Sequence, residues 1–351
     1  MRGISIPQYE ARMLVGPACV YASKMWGLAR AGRFFYTAGT TARQRGDWFM
    51  KATQMKTPSA AYCGDNMLII DGDVAYLIDL SRQDMHMTRE NTFSVDYLLT
   101  LGLHKEAAYF ATQHRKRYRS QKRSDPVTAE INGTQPSGRG DTTLNNSGTV
   151  DTMLHALLEP GDLLSKEAIH NLIWNLGFSP KIEVVNWRNN VLSVEFLQQR
   201  MYPALVDGVR KIHPGNRLGR VLFRTFWTRD SLKVEKKRGL MRAIALSLYA
   251  DNRHVPIIND VLKRILQLTI RDKPYEDTDL RADKRRIIDT DPIVNYDLRE
   301  TPETLGLIAQ ALSLPVTDLM RMRATIRKLP LFSCWGEEHA EIFRALAKWD
   351  L

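Results

Sequence analysis

Asp65 and Asp79 flank the clearest hairpin signal in this sequence, and their spacing suggests metal chemistry. Asp65 stands in Gly64-Asp65-Asn66, just ahead of the apolar run Asn66-Met-Leu-Ile-Ile, and Asp79 closes a second run, Val74-Ala-Tyr-Leu-Ile78. Asp71-Gly72 lies between the runs, and Asp-Gly in that position marks a tight hairpin. With Asp71-Gly72 as a two-residue loop, Ile70 opposes Asp73 and Asp65 opposes Ile78. Asp79 is then one position from facing Asp65, and a bulged three-residue loop aligns the two directly. Two unpaired carboxylates that close repel each other unless a cation lies between them or one binds a proton. Hard oxygen donors of this kind suit Mg²⁺ or Mn²⁺ shared with substrate phosphates. Two such ions about 4 Å apart activate an attacking hydroxyl and stabilise a leaving pyrophosphate. The plainer alternative is a pair of ordinary strand-end and turn aspartates.

A second constellation runs Ser137-Gly138-Arg-Gly-Asp-Thr142-Thr-Leu-Asn-Asn146-Ser147. A Ser-Gly loop enters a helix on which Thr142 and Asn146, four apart, share a face. Glycine lets backbone approach a ligand, and Ser, Thr and Asn supply neutral hydrogen bonds. A turn followed by a capped helix accounts for the same residues. The Arg-Gly-Asp tripeptide is also an adhesion signal, which the absence of a secretion signal disfavours.

The elements that must position these residues can be read from period and punctuation. Arg33-Phe34-Phe35-Tyr36 reads as a strand amid short helical stretches in the first 60 residues. Apolar spacing from Thr92 to about Arg119 suits a helix ending in the basic run Arg115-Lys116-Arg117-Tyr118-Arg119. Ser120 to Gly140 reads as loops or a short ribbon. Helices are expected over Thr142 to about Leu158 and Lys166 to Leu176, then strands at Lys181–Val185 and Val191–Leu197. Beyond Tyr202 the pattern is mostly helical, with breaks near Pro214-Gly215 and Pro256. The charged stretch Asp272–Asp291 suits an exposed linker.

The totals bound the partners. The chain has 351 residues, 50 Lys+Arg against 39 Asp+Glu and a formal net charge of +11, which favours polyanions. Cys19, Cys63 and Cys334 form no CxxC pair, which argues against a disulfide framework or thiolate zinc site and fits a reducing compartment. No apolar run reaches the roughly 18 residues of a membrane span, and MRGISIPQYE does not read as a signal peptide, so a cytosolic location is expected.

These residues resemble the palm motifs of viral RNA-dependent RNA polymerases. Asp79-Leu-Ser-Arg-Gln-Asp84 resembles motif A, Ser137-Gly138 with Thr142 and Asn146 resembles motif B, and Cys63-Gly64-Asp65-Asn66 resembles motif C with Asn in its last place. The order C, A, B is that of the permuted polymerases of birnaviruses and permutotetraviruses. Leu176-Gly177-Phe178-Ser-Pro-Lys181 resembles motif D, Phe196-Leu197-Gln-Gln-Arg200 resembles the motif E primer grip, and Arg33-Phe-Phe-Tyr resembles motif F. Arg30, Arg43, Arg45, Lys51 and Lys56 compete with Arg33 for that last role. The likeness covers about residues 30–230.

The resemblance implies an α+β fold: a right-hand palm of antiparallel sheet with packed helices, a mainly helical thumb and reduced fingers. Residues 1–60 correspond to partial fingers including the motif F-like strand. Residues 61–205 correspond to the palm, with a finger insertion at about 105–135, and 206–351 to the thumb. It implies RNA-templated RNA synthesis from NTPs on an RNA template in the host cytoplasm or virion, using two Mg²⁺ or Mn²⁺ ions. Asp65, Asp79 and Asn66 are implied at the metals, with Lys181 as a general acid. Arg33, Asp84, Ser137, Gly138, Thr142 and Asn146 are implied at the nucleotide. Phe196, Leu197, Arg200, Arg115, Lys116 and Arg117 are implied at RNA. Only about 60 residues precede motif C, so the chain is a fragment, a small enzyme, or one half of a complex whose second chain supplies the fingers. A reverse transcriptase and an inactive RNA-binding subunit remain as alternatives; Asp84 with Asn146 disfavours the first, and retention of both Asp65 and Asp79 the second.

Overall fold

The computed structural model describes residues 9–30, 32–88, 90–91, 115–119, 128–132, 142–158, 164–224, 233–274, 296–331 and 339–350. The chain divides into two compact units, Met1–Thr40 with Lys51–Val185 and Thr41–Met50 with Asn186–Leu351. Both contain helices and sheet, so the α+β expectation is met. Among the described residues, no helix is long and apolar enough to cross a membrane.

The first unit opens with helix α1 (Tyr9–Ala29) and is built on a five-stranded sheet. Its strands are β1 (Phe34–Tyr36), β2 (Ser59–Cys63), β3 (Asn66–Asp71), β4 (Val74–Ser81) and β7 (Ser179–Asn186), in that spatial order. β1 runs parallel to β2, while β2–β3 and β3–β4 are antiparallel hairpins. Both hairpins turn on two residues, Gly64-Asp65 and Gly72-Asp73, with Gly64 at φ 61° and Gly72 at φ 56°. Such left-handed backbone at the first turn position is open to glycine at little cost.

One face of the sheet, with Met67, Ile69, Tyr76 and Ile78, is buried against two helices, Thr142–Leu157 and Lys166–Asn175. The helices contribute Val150, Met153, Leu154, Ile169 and Ile173 to that core. Each such side chain contributes about 1.5–3 kcal/mol relative to exposure. The Lys166–Asn175 helix starts where Ser165 Oγ accepts from the Ala168 amide at 3.1 Å. It ends at Gly177, φ 86°, where the Gly177 and Phe178 amides donate to the Trp174 and Ile173 carbonyls. This left-handed stop satisfies the last carbonyls and lays Phe178 onto Ile173.

The basic run corrects one expectation. Arg115–Arg119 forms strand β5, antiparallel to β6 (Thr128–Asn132), and not the end of a helix. Strand pairing here overrides a helical spacing that local residues alone suggested. The preceding residues 92–114 lie outside the described segments, as does most of the charged stretch, 275–295.

The second unit contains helix α2 (Ala42–Ala52) through residue 50, and a sheet of β8 (Glu195–Phe196), β9 (Gln199–Val206), β10 (Val209–Asn216) and β11 (Leu298–Glu300). The β9–β10 hairpin departs from the mostly helical reading beyond Tyr202 as far as Asn216. Asp207 and Gly208, at φ 51° and 76°, make its tight turn, the same Asp-Gly signal recognised at Asp71-Gly72. Pro203 lies just outside the Ala204–Val206 stretch that β11 pairs, where β9 needs no second ladder. The strand expected over Val191–Leu197 is a 3₁₀ turn at Val191–Ser193, capped by Asn190, followed by the short β8.

Among the described residues, six helices complete this unit: Leu218–Arg224, Val234–Asn252, Ile258–Leu268, Pro302–Leu312, Val316–Ile326 and Ala340–Asp350. The last is anchored by one buried carboxylate. Asp350 Oδ1 accepts from Arg200 Nε at 3.1 Å, Oδ2 accepts from the Gly219 amide at 2.6 Å, and the Asp350 carbonyl accepts from Arg217. A Cβ at Gly219 would meet the Leu346 carbonyl at 3.0 Å and the Asp350 Cβ at 2.7 Å, so only glycine permits this approach. Asp350→Ala leaves Arg200 buried without its carboxylate and is expected to cost about 3–5 kcal/mol. Urea unfolding measures this; a loss below about 1 kcal/mol, typical of exposed pairs, contradicts the assignment.

A buried histidine pair lies in the same unit. His213 faces the Tyr296 hydroxyl at 2.9 Å and the Pro214 carbonyl, and His254 Nε2 faces the His213 carbonyl at 3.2 Å. Burial pushes His213 down to about 4, with the Arg45 and Arg253 charges adding to this, and burial with the neighbouring His213 holds His254 well below 6.5. Depressed folded values mean that the unfolded chain binds more protons, so stability is lost as pH falls from about 6.5 toward 4. Urea midpoints at pH 7 and pH 5 should show that loss; equal midpoints would exclude it.

Candidate active site

The β3–β4 hairpin brings the two predicted carboxylates to one end, in a register different from the expected one. Gly72-Asp73 forms the turn, Asp71 pairs with Val74 and Asn66 pairs with Asp79. The turn falls one residue later than expected because Gly72 occupies its first, left-handed position. Asp65 therefore lies opposite Leu80, whose amide donates to the Asp65 carbonyl at 2.9 Å. Asp79 is again one step from facing Asp65, from the other side. Directly opposed residues stand about 4.5–5.5 Å apart at Cα. Asp65 belongs to the Gly64-Asp65 turn, so its carboxylate is free of strand alternation.

Asp65 is half-buried and Asp79 exposed. Burial raises the Asp65 carboxyl above the usual carboxylate range; the charges of Asp79 and Asp84 add to this, against its own amide and Asn66. Three carboxylates thus share one field. Asn66 Nδ2 donates to Asp65 Oδ1 at 2.7 Å, which makes Asn66 a support for Asp65. Among the described residues, no group of three or more His, Cys, Asp or Glu side chains is placed to hold a metal ion by itself. The donor set of Asp65 and Asp79 nevertheless fits Mg²⁺ or Mn²⁺, which take one or two carboxylates and complete their shell with water and substrate phosphate.

The motif B-like helix is hydrogen-bonded to both neighbours. Asn146 Nδ2 donates to Asp84 Oδ1 at 2.8 Å, as the sequence pairing implied. Asn146 Oδ1 is buried and has no hydrogen-bond partner among the described residues. Gln83 Nε2 donates to the Asn146 carbonyl at 3.0 Å, and the Gly64 amide donates to Ser147 Oγ at 2.7 Å. Neither Gln83 nor Ser147 was assigned a role from sequence, although Ser147 directly follows Asn146. Further along the helix, Asp151 accepts from Tyr62 at 2.5 Å and Arg30 at 3.0 Å, and Trp26 donates to the Tyr62 hydroxyl at 2.8 Å. This buried network ties α1 and β2 to the helix.

Two expected cations are held by protein partners. Arg33 donates to the Pro58 and Leu158 carbonyls at 2.6 and 2.7 Å. Those lie at the start of β2 and beyond the C-terminus of the Thr142–Leu157 helix, far from Asp65 and Asn146, so its guanidinium braces the backbone and does not face a triphosphate. Arg200 is 5% exposed, bonded to Asp350, the Leu192 carbonyl and the Trp349 carbonyl, with its guanidinium 4.0 Å from the Trp349 ring. Packing, and not an RNA phosphate, satisfies it. Phe196 is buried and Leu197, at φ 51°, sits in the β8–β9 turn; both belong to the second unit.

Lys181 is exposed on β7, the strand beside β4. Thr142 is half-buried at the start of its helix. Ser137 and Gly138 lie outside the described residues, and only the backbone of Arg115, Lys116 and Arg117 is described. A cleft of about 430 Å³ opens among Ser81, Arg82, His86, Trp174, Phe178 and Ser179.

No protein-family model matches the sequence, and no curated protein does. Among solved structures, the fold is similar to one described as the birnavirus VP1–VP3 complex, at 11% identity and a TM-score of 0.49, over 89% of this chain and 54% of that one. A second is the RNA polymerase VP1 from Infectious Pancreatic Necrosis Virus, at 13% identity and 0.47, over 87% and 41%. The chain therefore spans about half the length of these structures or less.

Proposed function

We propose that this chain carries RNA-templated RNA synthesis by metal-assisted nucleotidyl transfer. The observation that carries the reading is the hydrogen-bonded Asp84–Asn146 pair standing beside the Asp65–Asp79 carboxylates. Asp65 and Asp79 would hold two Mg²⁺ or Mn²⁺ ions, which when bound activate a 3′-hydroxyl and stabilise leaving pyrophosphate. Asn66 holds the Asp65 carboxylate in orientation through its amide. Asp84 would accept a hydrogen bond from a ribose 2′-hydroxyl, while the unpartnered Asn146 Oδ1 offers a second acceptor at the same locus.

Lys181 would give a proton to the departing pyrophosphate, provided β7 brings it within reach. Thr142, with Ser137 and Gly138, would steady the nucleotide and template. Arg115, Lys116 and Arg117 would meet RNA phosphates without reading sequence, and Phe196 with Leu197 would support the product strand. Arg33 and Arg200 have no part in this reading, because other groups occupy them. Viral genome replication in the host cytoplasm is the setting that the motif order suggests.

Primer extension on an RNA template, with NTPs and either Mg²⁺ or Mn²⁺, tests the proposal. Product that requires template and vanishes with chelator is expected. A chain that binds RNA yet extends no primer under either ion, alone or with a fingers partner, is an RNA-binding subunit. Preference for dNTPs makes it a reverse transcriptase.

A further inference from the structure

We infer that Ser147 is a positioning residue for Asp65, acting through the backbone of the Gly64-Asp65 turn. The inference deepens the nucleotidyl-transfer reading and rests on it. Cys63 and Asn66 close the β2–β3 ladder, which leaves Gly64 and Asp65 as the two unpaired residues of the turn. A Cβ at Gly64 would meet nothing within 4 Å, so no packing at that position holds the turn in place. Two hydrogen bonds do. The Leu80 amide donates to the Asp65 carbonyl at 2.9 Å, and the Gly64 amide donates to Ser147 Oγ at 2.7 Å.

Ser147 is fully buried beside the Tyr36 phenol, which lies 3.0 Å from Ser23 Oγ. The hydroxyl therefore sits in a fixed place between a rigid helix and a turn with no other anchor on that side. Asn146, the preceding residue, holds Asp84. Successive residues of one helix thus hold the two halves of the site. Asn146 serves the ribose-reading pair, and Ser147 serves the turn that presents a metal carboxylate. The two roles separate experimentally, because each affects a different measurement.

Ser147→Ala removes the acceptor with little change in volume. Mn²⁺ binding to the purified chain, read without RNA or nucleotide by electron paramagnetic resonance of the free ion, should weaken about 10–100-fold, as when groups that orient metal ligands are lost. In primer extension kcat should fall by a similar factor, while KM for NTP and the NTP-to-dNTP ratio stay within about twofold. Ser147→Thr keeps the hydroxyl and should recover most of the Mn²⁺ affinity. If Ser147→Ala does not fold, Ser147→Cys, a weak acceptor of similar size, should show the same loss. Wild-type Mn²⁺ affinity in either folded variant overturns the inference. So does a loss that Ser147→Thr fails to recover while folding normally. Failure of the wild-type chain to extend primers counts against the nucleotidyl-transfer reading alone, since the Mn²⁺ measurement decides on Ser147 without it.

Discussion

Asp79→Ala is expected to abolish NMP incorporation, by about 10³-fold or more, while leaving RNA affinity within a few-fold. The size follows from the chemistry. A cation held at the reacting phosphate supplies several kcal/mol of charge stabilisation, and each 1.36 kcal/mol is a factor of about ten. Asp79 is exposed and no hydrogen bond within the described residues is assigned to its carboxylate, so its removal leaves no buried partner unsatisfied. Asp65→Ala should lose activity to the same degree at some cost in stability, because Asn66 then loses its acceptor. On the proposed reading RNA affinity would come from phosphate contacts elsewhere and should be insensitive to either change. Gel-shift titration beside primer extension checks both halves. Retained synthesis in purified Asp79→Ala would refute the assignment.

Asp84→Ala is expected to relax ribose discrimination. Asp84 and Asn146 hold each other at 2.8 Å, and the second Asn146 acceptor is left unpartnered. A site built to bond a hydroxyl rejects the analogue without it, because its buried polar groups stay unmet. A hydrogen bond to a charged group contributes about 1.5–3 kcal/mol, so the NTP-to-dNTP ratio should fall about 10–100-fold. Competition between labelled ATP and dATP measures the ratio. Equal ratios in variant and wild type would exclude Asp84 from ribose reading. The same experiment on Asn146→Ala should give the same direction, with an additional loss of stability from its buried place on the helix.

What could be read from sequence was local. The two apolar runs around Gly72, the Phe34–Tyr36 strand and the Thr142–Leu157 and Lys166–Asn175 helices all carry their punctuation within a few residues. The Asp84–Asn146 contact joins residues 62 apart, yet it was accessible because both fall in motifs whose partners the resemblance supplies. The errors came where a distant partner decides the outcome. β5 is a strand because β6 pairs with it, and the β9–β10 hairpin lay inside a stretch whose spacing read as mostly helical.

Two arginines are held by protein partners that the sequence did not reveal, for one reason. Arg33 and Arg200 are cations, and cations in a basic chain invite an RNA reading. Arg33 reaches the Pro58 carbonyl 25 residues away and the Leu158 carbonyl 125 away, and Arg200 reaches Asp350 150 away, partners that spacing does not reveal. Ser147 was missed for the opposite reason, being a small neutral residue whose only signal was its place after Asn146.

Mn²⁺ titration of the purified chain, read by electron paramagnetic resonance of the free ion, tests most directly whether the end of the β3–β4 hairpin is a metal centre. Asp65→Asn with Asp79→Asn removes both charges and keeps both shapes, so folding should be intact. The wild-type chain should bind Mn²⁺ and the double variant should lose at least one site. Equal Mn²⁺ binding by the two folded proteins would contradict a metal-bearing carboxylate pair.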